Sequence, residues 1–562
     1  MVVVGRILRR RSTRHRARRG RTTAVGLFAV LVLVFSLLSA PRATSASETV
    51  SVWLTTGDRG KLLERQSTFN FGGDTTGDLI INVNEHHRYQ SMEGFGAAMT
   101  DSSAWLMANE LSASQRSELL YRLFSPSTGI GMSYLRVAIG ASDFSLRHYT
   151  HDDTCCDLSD FSIASDEADR IPLLLEARSV NPGLKLMGSP WTAPAWMKTT
   201  ESLYRGTLKA ESYDDYAGYL SRFVDAWAAR GLPIASLSLG NEPQHTPADY
   251  PGMWLTPGQE VDLVKQLGPA LAGKGVELLA LDHNWALAHY GKDVLDDPAG
   301  RQYIDGTAFH CYGGMPDYQK IVRDAHPDKA IHFTECSSGN WSTNWAGNLV
   351  WDGVNLLVGA TRNWSRSVMK WNLALDTTHG PHTGGCGGCT GVVTIDPGNG
   401  AVTYNHDYYA IGHASKFVVP GAQRIASTAR TGSDLHSEAF RNPDGSKVLI
   451  VVNAGGQGHG FLVRWGGQSF SYSLQEKSIA TFTWSGTQGA PSAPAAPTGL
   501  SATAADAKVT LGWEFSPLAT SYDVERSAGG GPFTTIAQGV ASPSTSIVTS
   551  SVARATPTSL GR

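Results

Sequence analysis

Two glutamates of this chain have the residue type and the position of catalytic groups. Glu242 ends the segment Ser238–Glu242, and Glu335 ends the segment His332–Glu335. Each segment predicts an apolar strand that runs out into a loop, where a carboxyl group is partly removed from water and its surroundings set its pKa. Two such carboxyls facing one cavity can cleave a glycosidic bond. Either glutamate alone would more simply be a surface or ion-paired residue, so the hypothesis depends on both.

Strand-like and helix-like segments alternate from about Gly94 to Tyr409, and this alternation would position both glutamates. Alternation over this length is typical of parallel βα units and predicts a (β/α)8 TIM barrel over residues 94–409. The clearest helical segments are Tyr213–Arg230 and Pro257–Lys274. The strand-like segments are Tyr134–Val137, Leu184–Gly188, Ile234–Leu239, Glu277–Leu281, Gly306–Tyr312, Ala330–Thr334 and Val368–Leu373.

The segments outside the predicted barrel favour β structure. Short strands separated by glycine-rich turns begin at about His413 and predict an antiparallel β-sandwich over residues 410–486. Because edge strands need partners, we expect residues 47–93 to join this sandwich. Residues 487–497 are rich in Ala, Pro, Gly and Ser and predict a linker. Residues 498–562 look like a partial fibronectin type III-like sandwich, since a complete module needs about 100 residues.

The first 46 residues predict a signal peptide. A basic stretch from Arg6 to Arg21 precedes the uncharged apolar stretch Ala24–Ala40, and small residues follow at a plausible cleavage site. The apolar stretch is shorter than the about 20 residues that a membrane-spanning helix needs. We therefore expect a secreted, extracellular protein with no integral membrane span after cleavage.

The charge balance argues against two classes of partner. Residues 1–46 hold ten of the 47 basic residues and none of the 50 acidic ones, so the remaining chain has a net charge near −13 with neutral histidines. A negatively charged protein is a poor partner for nucleic acid or for an anionic membrane. The charge is typical of a soluble secreted protein that acts on a neutral substrate.

The six cysteines are too few for a disulfide scaffold in a chain of this length, although export permits disulfides. Cys311 and Cys336 lie in strand-like segments and are expected to be buried thiols. Cys386 and Cys389 form a CxxC motif, for which a loop-stapling disulfide is favoured over free thiols. A zinc site would need a second ligand pair with suitable spacing, and none is convincing. The adjacent pair Cys155–Cys156 is expected to bond elsewhere or not at all.

Eight short segments, in a fixed order between about Val50 and Ser485, carry the resemblance of this chain to a known enzyme family. They are Glu93–Ala98, Tyr134–Val137, Ser142–Ser145, Ser189–Lys198, Asn241–Pro243, Thr334–Cys336, Trp371–Leu375 and Gly412–Phe417. Together they resemble glycoside hydrolase family 30, the family of the acid β-glucosylceramidases and the β-1,6-glucanases. One such segment alone would be weak evidence, whereas the ordered set is highly specific.

The resemblance implies distinct roles for the two glutamates. Glu242 resembles the general acid/base, which must hold a proton at working pH, so we expect burial and a neighbouring carboxylate to raise its pKa. Glu335 resembles the nucleophile, which must stay ionised. The implied mechanism is a retaining double displacement, with carboxyl groups about 5–5.5 Å apart. This chemistry requires neither a metal nor an organic cofactor.

The resemblance also implies a set of residues around the sugar. Asn241 would bind the sugar 2-hydroxyl. Asp143 would bind distal hydroxyls, a role favoured over the helix cap that an aspartate often forms in such a loop. Tyr312 is expected near the nucleophile. Trp191 and Trp371 would cover the apolar face of a pyranose ring. The remaining substrate-binding candidate is Asn372.

Four further residues have a structural interpretation beside the functional one. Arg136 lies in an apolar strand, where an unpaired guanidinium would be costly. It can form an ion pair inside the barrel and also orient the nucleophile, as the resemblance implies. For Trp196 and Trp341 a role in the core and a role at the ligand remain equally open. His310 precedes Tyr312 and is more simply a structural residue than a catalyst.

The substrate is the least determined part of the sequence interpretation. The leading hypothesis is a retaining β-glycosidase for β-glucosidic substrates of the glucosylceramidase type, and the alternative is an endo-β-1,6-glucanase. The chain has Cys311 where ceramide-cleaving animal relatives carry tryptophan, and its loop Thr377–Val393 also differs from theirs, so ceramide specificity does not follow. A non-catalytic carbohydrate-binding protein is a distant alternative, because such a protein would not need two matched carboxylates.

Overall fold

The computed structural model describes residues 48–73, 78–432, 434–489, 497, 500–505, 508–513, 522–527, 531–540 and 544–548. The predicted signal peptide and most of the predicted linker lie outside the described residues. Residues 48–488 form one unit, and the stretches after residue 488 belong to a second one. Among the described residues, no helix is long and apolar enough to cross a membrane.

Eight parallel strands close into a barrel in which each strand pairs with the next one along the chain and the last pairs with the first. This confirms the predicted (β/α)8 barrel. Its strands are nearly free of exposed residues because helices cover them on the outside. The strands are β1 (Gly94–Ala98), β2 (Tyr134–Ile139), β3 (Lys185–Pro190), β4 (Ser236–Ser238), β5 (Glu277–Asn284), β6 (Gly306–His310), β7 (Ala330–Glu335) and β8 (Ser365–Asn372).

Helices connect the barrel strands, and some of them begin at recognisable capping residues. Ser112 and Gln115 form a capping box at one helix start, and Thr256 and Gln259 form another. Such caps satisfy backbone N–H groups that have no partner within the helix and contribute about 1 kcal/mol each. The helices are Asp101–Trp105, Leu106–Glu110, Ala113–Phe124, Ala164–Ala168, Arg170–Val180, Ala195–Met197, Ala210–Ser212, Tyr213–Ala229, Pro257–Leu271, Trp285–Leu287, Ala288–Asp296, Pro298–Arg301, Pro316–Tyr318, Gln319–Ala325, Trp345–Asp352, Gly353–Ala360 and His406–Ser415.

A second, largely antiparallel sheet combines strands from both ends of the unit, and its core is rich in aromatic side chains. Thr49–Thr55 pairs with Ser478–Trp484, and Ile80–Ser91 pairs with Gln423–Ser427. The pairing of Ile80–Ser91 with His459–Trp465 is parallel. The remaining strands of this sheet are Glu64–Arg65, Phe69–Asn70, Gly72–Gly73, Arg430–Thr431, Leu435–Arg441, Lys447–Asn453 and Gln468–Leu474.

Two small sheets lie in the loops that follow β7 and β8. Ser338–Gly339, just after Glu335, pairs with Cys389–Thr390. This pairing ties the segment after β7 to the loop after β8. The other small sheet consists of Ala374–Asp376, Val393–Asp396 and Ala401–Tyr404.

The second unit contains five described strands. They form a three-stranded and a two-stranded antiparallel sheet, with Leu511, Trp513, Tyr522 and Val524 buried among them. Its assignment to the fibronectin type III class stays a prediction. The strands are Ser501–Ala505, Lys508–Gly512, Tyr522–Arg526, Thr534–Val540 and Ser544–Val548.

The cysteine pairing confirms one expectation and overturns two. Cys386 and Cys389 form the expected loop disulfide. Cys311 and Cys336 are joined to each other and are not free thiols. The reason is the barrel register, which places His310 beside Glu335 and therefore brings the next residues together. The adjacent pair Cys155–Cys156 is bonded within itself, contrary to the expectation.

His413 connects the barrel helix His406–Ser415 to the antiparallel sheet. Its ring nitrogens lie 2.9 Å from Thr481 Oγ1 and 2.8 Å from Thr55 Oγ1, and the side chain is fully buried. Burial disfavours the charged imidazolium and lowers the pKa of His413 to about 3. The unfolded chain therefore binds a proton here that the folded chain excludes.

We predict that His413 makes the protein less stable in acid. Because the pKa is lowered on folding, the contribution is present above about pH 6.5 and is lost as the pH falls towards 3, at about 1.4 kcal/mol per pH unit. A His413→Gln variant lacks this dependence, so its deficit in free energy of unfolding should shrink between pH 6 and pH 4. Urea unfolding at several pH values measures this, with His289→Gln, at an exposed position, as control. A deficit that does not change with pH would contradict it.

Candidate active site

A cavity of about 270 Å³ opens at the carboxyl ends of the barrel strands, and most of the predicted site residues line it. Seven of the nine sequence-predicted residues are there, whereas Arg136 and Asn372 are not. The lining residues are Asp143, Trp191, Asn241, Glu242, Tyr250, Tyr312, Glu335, Ser337, Trp341, Trp371, Gly385, Cys386 and Cys389.

Glu335, the last residue of β7, is held by two donors. Arg136 Nη1 donates to Oε2 at 2.5 Å, and the Tyr312 hydroxyl donates to Oε1 at 2.9 Å. The backbone N–H of Ser337 donates in turn to the Tyr312 oxygen at 3.1 Å. A carboxylate with both oxygens engaged keeps one orientation towards the cavity.

Arg136 lies beneath the cavity floor and is fully buried. Its Nη2 donates to Asp282 Oδ2 and to Asn241 Oδ1, both at 2.7 Å. The guanidinium carbon lies 4.9 Å and 5.4 Å from the ring centroids of Trp191 and Trp371. One side chain therefore combines the two interpretations from sequence, the ion pair inside the barrel and the orientation of Glu335.

Asp282 is the centre of this network, and sequence analysis did not identify it. Its carboxylate accepts from Arg136, from the hydroxyls of Ser189 and Thr334 at 2.7 Å each, and from His310 Nε2 at 3.0 Å. Burial alone would raise the pKa of Asp282, but the Arg136 charge and the bond from His310 hold it well below its usual range. The available signal was an acid directly after an apolar strand segment, the same signal that identified the two glutamates.

Asp282 occupies a β-bulge in β5. The register with β6 shifts between Leu281 and His283, so Asp282 is the extra residue. Leu281 and Asp282 both have positive φ values, 74° and 51°. Each such non-glycine residue costs of order 1–3 kcal/mol, and such strain occurs chiefly at functional sites. The bulge also places the Asp282 carbonyl where the backbone N–H of Glu242 donates to it at 3.0 Å.

Glu242 lies between two histidines, and this overturns the expected direction of its pKa. Its Oε1 lies 3.2 Å from His310 Nδ1 and 3.4 Å from His283 Nδ1. Burial raises the pKa of Glu242, but the hydrogen bonds and positive charge of the two histidines outweigh burial and lower it. The sequence expectation of a raised pKa considered only burial and the neighbouring carboxylate, and missed the two rings on β5 and β6.

His310 is correspondingly a good base. Burial opposes its charge, but the Glu335 carboxylate and the hydrogen bonds to Asp282 and Glu242 raise the pKa of His310 to about 9. The proton of this pair therefore resides on His310, with Nδ1 donating towards Glu242. The simple structural interpretation of His310 from sequence omits this contact with Glu242.

Asp143 lies on the cavity wall near the disulfide loop. Burial and the Glu335 charge raise the pKa of Asp143 to about 8, so the carboxyl is largely protonated at neutral pH. Gly385 approaches so closely that a Cβ there would lie 2.6 Å from the Asp143 Cβ, and its φ of 66° also suits glycine. The Gly385 N–H donates to Asp249 Oδ2 at 3.0 Å. The glycines around Cys386 and Cys389 therefore allow this loop to pack closely against the cavity wall.

The aromatic candidates divide between cavity and core. Trp191 and Trp371 are stacked, with ring centroids 5.0 Å apart and planes inclined by 24°, and both line the cavity. Trp341 lines it too and is 61% exposed. Trp196 is partly buried against the barrel core and does not line the cavity.

Asn372 is the one predicted substrate contact that the structure places elsewhere. It is buried outside the cavity, where its Oδ1 accepts from the Thr100 hydroxyl at 3.0 Å. Successive side chains of a strand alternate in direction. The register of β8 with β1 shifts between Lys370 and Asn372, so this alternation is interrupted at Trp371, and the bond from Thr100 holds the Asn372 side chain away from the cavity.

Two buried groups among the described residues have spacing that could suit a metal ion. One group consists of Asp352, His406 and Asp407. Lys370 Nζ lies 2.9 Å from Asp352 and 2.8 Å from Asp407, so the lysine ammonium group already occupies the centre of this group. The other consists of Glu242, His283 and His310, whose contacts belong to the network described above. The acid–base chemistry of this network does not call for a metal.

Comparisons with known proteins agree with this geometry. The chain is 34% identical over 408 residues to an endo-1,6-β-D-glucanase of Neurospora crassa, covering 68% of this chain and 82% of the relative. It is 31% identical over 426 residues to the lysosomal acid glucosylceramidase of Mus musculus, covering 70% and 81%. A solved endo-β1,6-glucanase matches with a TM-score of 0.74 and 32% identity over 78% of this chain and 99% of that one.

Two family profiles cover most of the larger unit. The glycosyl hydrolase family 30 TIM-barrel domain matches residues 92–418, and the family 30 β-sandwich domain matches residues 421–482. The chain therefore belongs to glycosyl hydrolase family 30 and is a glycosidase.

Proposed function

We propose that this protein is a secreted retaining β-glycosidase that hydrolyses β-1,6-linked glucan. The observation that carries the mechanism is the pair of carboxylates, Glu242 and Glu335, in one cavity and joined through His310. His310 Nδ1 lies 3.2 Å from Glu242 Oε1 and 3.9 Å from Glu335 Oε1, so these oxygens are within about 7 Å of each other. Inverting enzymes place their two carboxyl groups about 6.5–9.5 Å apart, so a separation of at most about 7 Å argues against most of that range. It supports direct attack by Glu335 on the sugar.

In the first step, Glu335 attacks the anomeric carbon and forms a glycosyl ester while the glycosidic C–O bond breaks. The leaving oxygen takes a proton from Glu242. In the second step, Glu242 removes a proton from water, which attacks the same carbon and releases Glu335. The sugar then leaves with its original anomeric configuration.

Because its pKa is lowered, Glu242 must receive a proton before it can act as the acid. His310 provides this proton. The Glu335 charge, together with the bonds to Asp282 and Glu242, keeps the proton on His310. Forming the glycosyl ester neutralises Glu335, so His310 becomes a weaker base during the step in which the leaving group requires a proton. Transfer along the 3.2 Å contact to Glu242 then completes the acid function.

Asn241 and Arg136 together provide specificity for a sugar hydroxyl. The Asn241 side-chain oxygen accepts from Arg136 at 2.7 Å. This fixes the orientation of the amide and leaves its NH₂ group for the cavity. An NH₂ group can donate to the sugar 2-hydroxyl, a contact that strengthens in the transition state.

The preference for a glucan over glucosylceramide rests on two supports. Relatives named as endo-1,6-β-glucanases match at 34%, 32% and 31% identity, and the solved glucanase is covered almost completely. The cavity rim also carries the exposed ring of Trp341, which suits the C–H face of a second sugar. Glucosylceramide remains the second candidate, because the mouse glucosylceramidase matches at 31%.

Secretion rests on the basic and apolar pattern of residues 1–46. The three disulfides of the described part are compatible with an oxidising compartment. The acidic surface implied by the net charge suits a neutral polysaccharide substrate.

Product analysis tests the substrate assignment. With β-1,6-glucan, glucosylceramide and an aryl β-glucoside as parallel substrates, we expect release of gentio-oligosaccharides from the glucan and little release of ceramide. Chromatography of the products with time measures both. Ceramide release with an untouched glucan would contradict the assignment and select the second candidate.

We predict that Glu242→Gln has an effect that depends on the leaving group. An activated aryl glucoside needs little protonation, so its glycosyl-enzyme should still form, whereas kcat/KM for the glucan should fall by about 10²–10⁴-fold. Steady-state kinetics on both substrates provide the comparison. An equal loss of kcat/KM on the two substrates would argue against the acid role of Glu242.

We predict that Trp341→Ala weakens the binding of polymer selectively. Loss of one sugar-stacking ring should raise KM for β-1,6-glucan about tenfold, equivalent to about 1.4 kcal/mol, with kcat and the kinetics on a small aryl glucoside within twofold. The matched control is Trp351→Ala, a similarly exposed tryptophan that does not line the cavity. Equal losses on polymer and aryl glucoside would contradict a role at the second sugar.

A further inference from the structure

One buried carboxyl group close to the site has no part in the proposed chemistry. Glu260 lies in the first turns of the helix Pro257–Leu271, and its side chain has no solvent exposure. It does not line the cavity. Burying a carboxyl is unfavourable unless its polar atoms find partners. The partners of Glu260 therefore indicate its role.

Glu260 accepts a hydrogen bond from a backbone group of the bulge. Its Oε2 accepts from the Leu281 N–H at 3.2 Å. On this side of β5 the neighbouring strand β4 ends at Ser238. Leu239 N–H still donates to the Leu279 oxygen at 3.2 Å, and the next backbone contact is from Glu242 N–H to the Asp282 oxygen at 3.0 Å. The Leu281 N–H lies between these two contacts, and the carboxyl of Glu260 supplies its acceptor.

The same bulge controls both halves of the catalytic network. Leu281 and Asp282 hold consecutive positive φ values, which a non-glycine chain keeps only under constraint. From this position the Asp282 carbonyl accepts the Glu242 N–H at 3.0 Å. Its carboxylate accepts from Arg136 at 2.7 Å, and Arg136 in turn holds Glu335. A shift of the bulge would therefore displace the acid and the nucleophile together.

We propose that Glu260 is a positioning residue, which fixes the β5 bulge by accepting the Leu281 N–H and thereby sets the geometry of Asp282, Glu242 and Glu335. The inference rests on the proposed roles of the two glutamates. It concerns a residue outside the cavity that touches neither substrate nor the reacting atoms.

The environment of Glu260 allows a conservative test. Burial raises the pKa of Glu260 to about 8, and the Tyr290 hydroxyl lies within its reach. At neutral pH the side chain is thus largely an uncharged carboxylic acid, with one carbonyl acceptor and one donor. A glutamine offers the same acceptor and a donor in nearly the same shape. A methionine has similar length but no comparable acceptor for the Leu281 N–H.

The test compares Glu260→Gln and Glu260→Met by kcat and KM on an aryl β-glucoside. We expect Glu260→Gln to keep kcat within twofold of the unmodified protein. We expect Glu260→Met to lose kcat at least tenfold with KM within twofold, because small displacements of positioned catalytic groups reduce the rate rather than ground-state binding. Thermal unfolding of each variant verifies that the compared proteins are folded.

The matched control is the pair Glu438→Gln and Glu438→Met. Glu438 is also fully buried, on the strand Leu435–Arg441 of the antiparallel sheet, where Ala439 N–H donates to it at 2.9 Å. These control substitutions should lower stability without changing kcat.

Two results would overturn the proposal. A folded Glu260→Met protein with undiminished kcat would show that the bulge does not need the acceptor. A folded Glu260→Gln protein with a tenfold loss of kcat would show that the hydrogen-bond acceptor does not explain the role of Glu260. If the methionine variant cannot be obtained folded, the result with Glu260→Gln decides the question. Failure of the proposed function would appear differently, as an unmodified protein without glycosidase activity.

Discussion

The buried ion pair between Arg136 and Asp282 is the interaction on which the rest of the site depends. Neither side chain has solvent exposure, and their closest atoms are 2.7 Å apart. Removing one partner of such a pair typically costs about 3–5 kcal/mol, because the other charge is left buried and unpaired. Arg136 also pairs with Glu335 at 2.5 Å, so one cation compensates two carboxylates. Arg136 lies on β2, Asp282 on β5 and Glu335 on β7. These contacts can therefore form only when the barrel closes and brings the three strands around one point.

The network extends from this pair to the proton chemistry through a single ring. His310 Nε2 contacts Asp282, and His310 Nδ1 faces Glu242. Asp282 therefore holds Glu335, the proposed nucleophile, through Arg136 and Glu242, the proposed acid, through His310. Two functions that need opposite protonation states share one anchor, which explains why the site uses a strained bulge to place a single aspartate.

Several site residues could be predicted from sequence because their signals are local. Glu242, Glu335 and Trp371 each lie at the end of an apolar strand segment, and Arg136 is a charge within one. Closure of the barrel could also be predicted, since it follows from the alternation of strands and helices. The rule that parallel strands end at the same edge of a sheet brings these positions together, and the resemblance to the family implied their roles.

Other features depend on exact register, which a sequence pattern does not show. Asp282 follows an apolar strand segment, but a bulge sets the direction of its side chain, and the acceptor that supports the bulge, Glu260, comes from a helix more than 20 residues earlier in the chain. The bond between Cys311 and Cys336 likewise follows from the pairing of β6 with β7. The pKa of Glu242 was predicted in the wrong direction because it is set by two histidines on other strands.

Trapping of the glycosyl-enzyme tests the central claim most directly. A mechanism-based 2-fluoro-glucoside inhibitor, followed by proteolysis and mass spectrometry of the peptides, locates the covalent sugar. The account predicts one sugar per protein, attached to the peptide that contains Glu335, with the label released slowly by water. Labelling at Glu242 or at another residue, or no covalent sugar on a protein that still hydrolyses glucan, would contradict it.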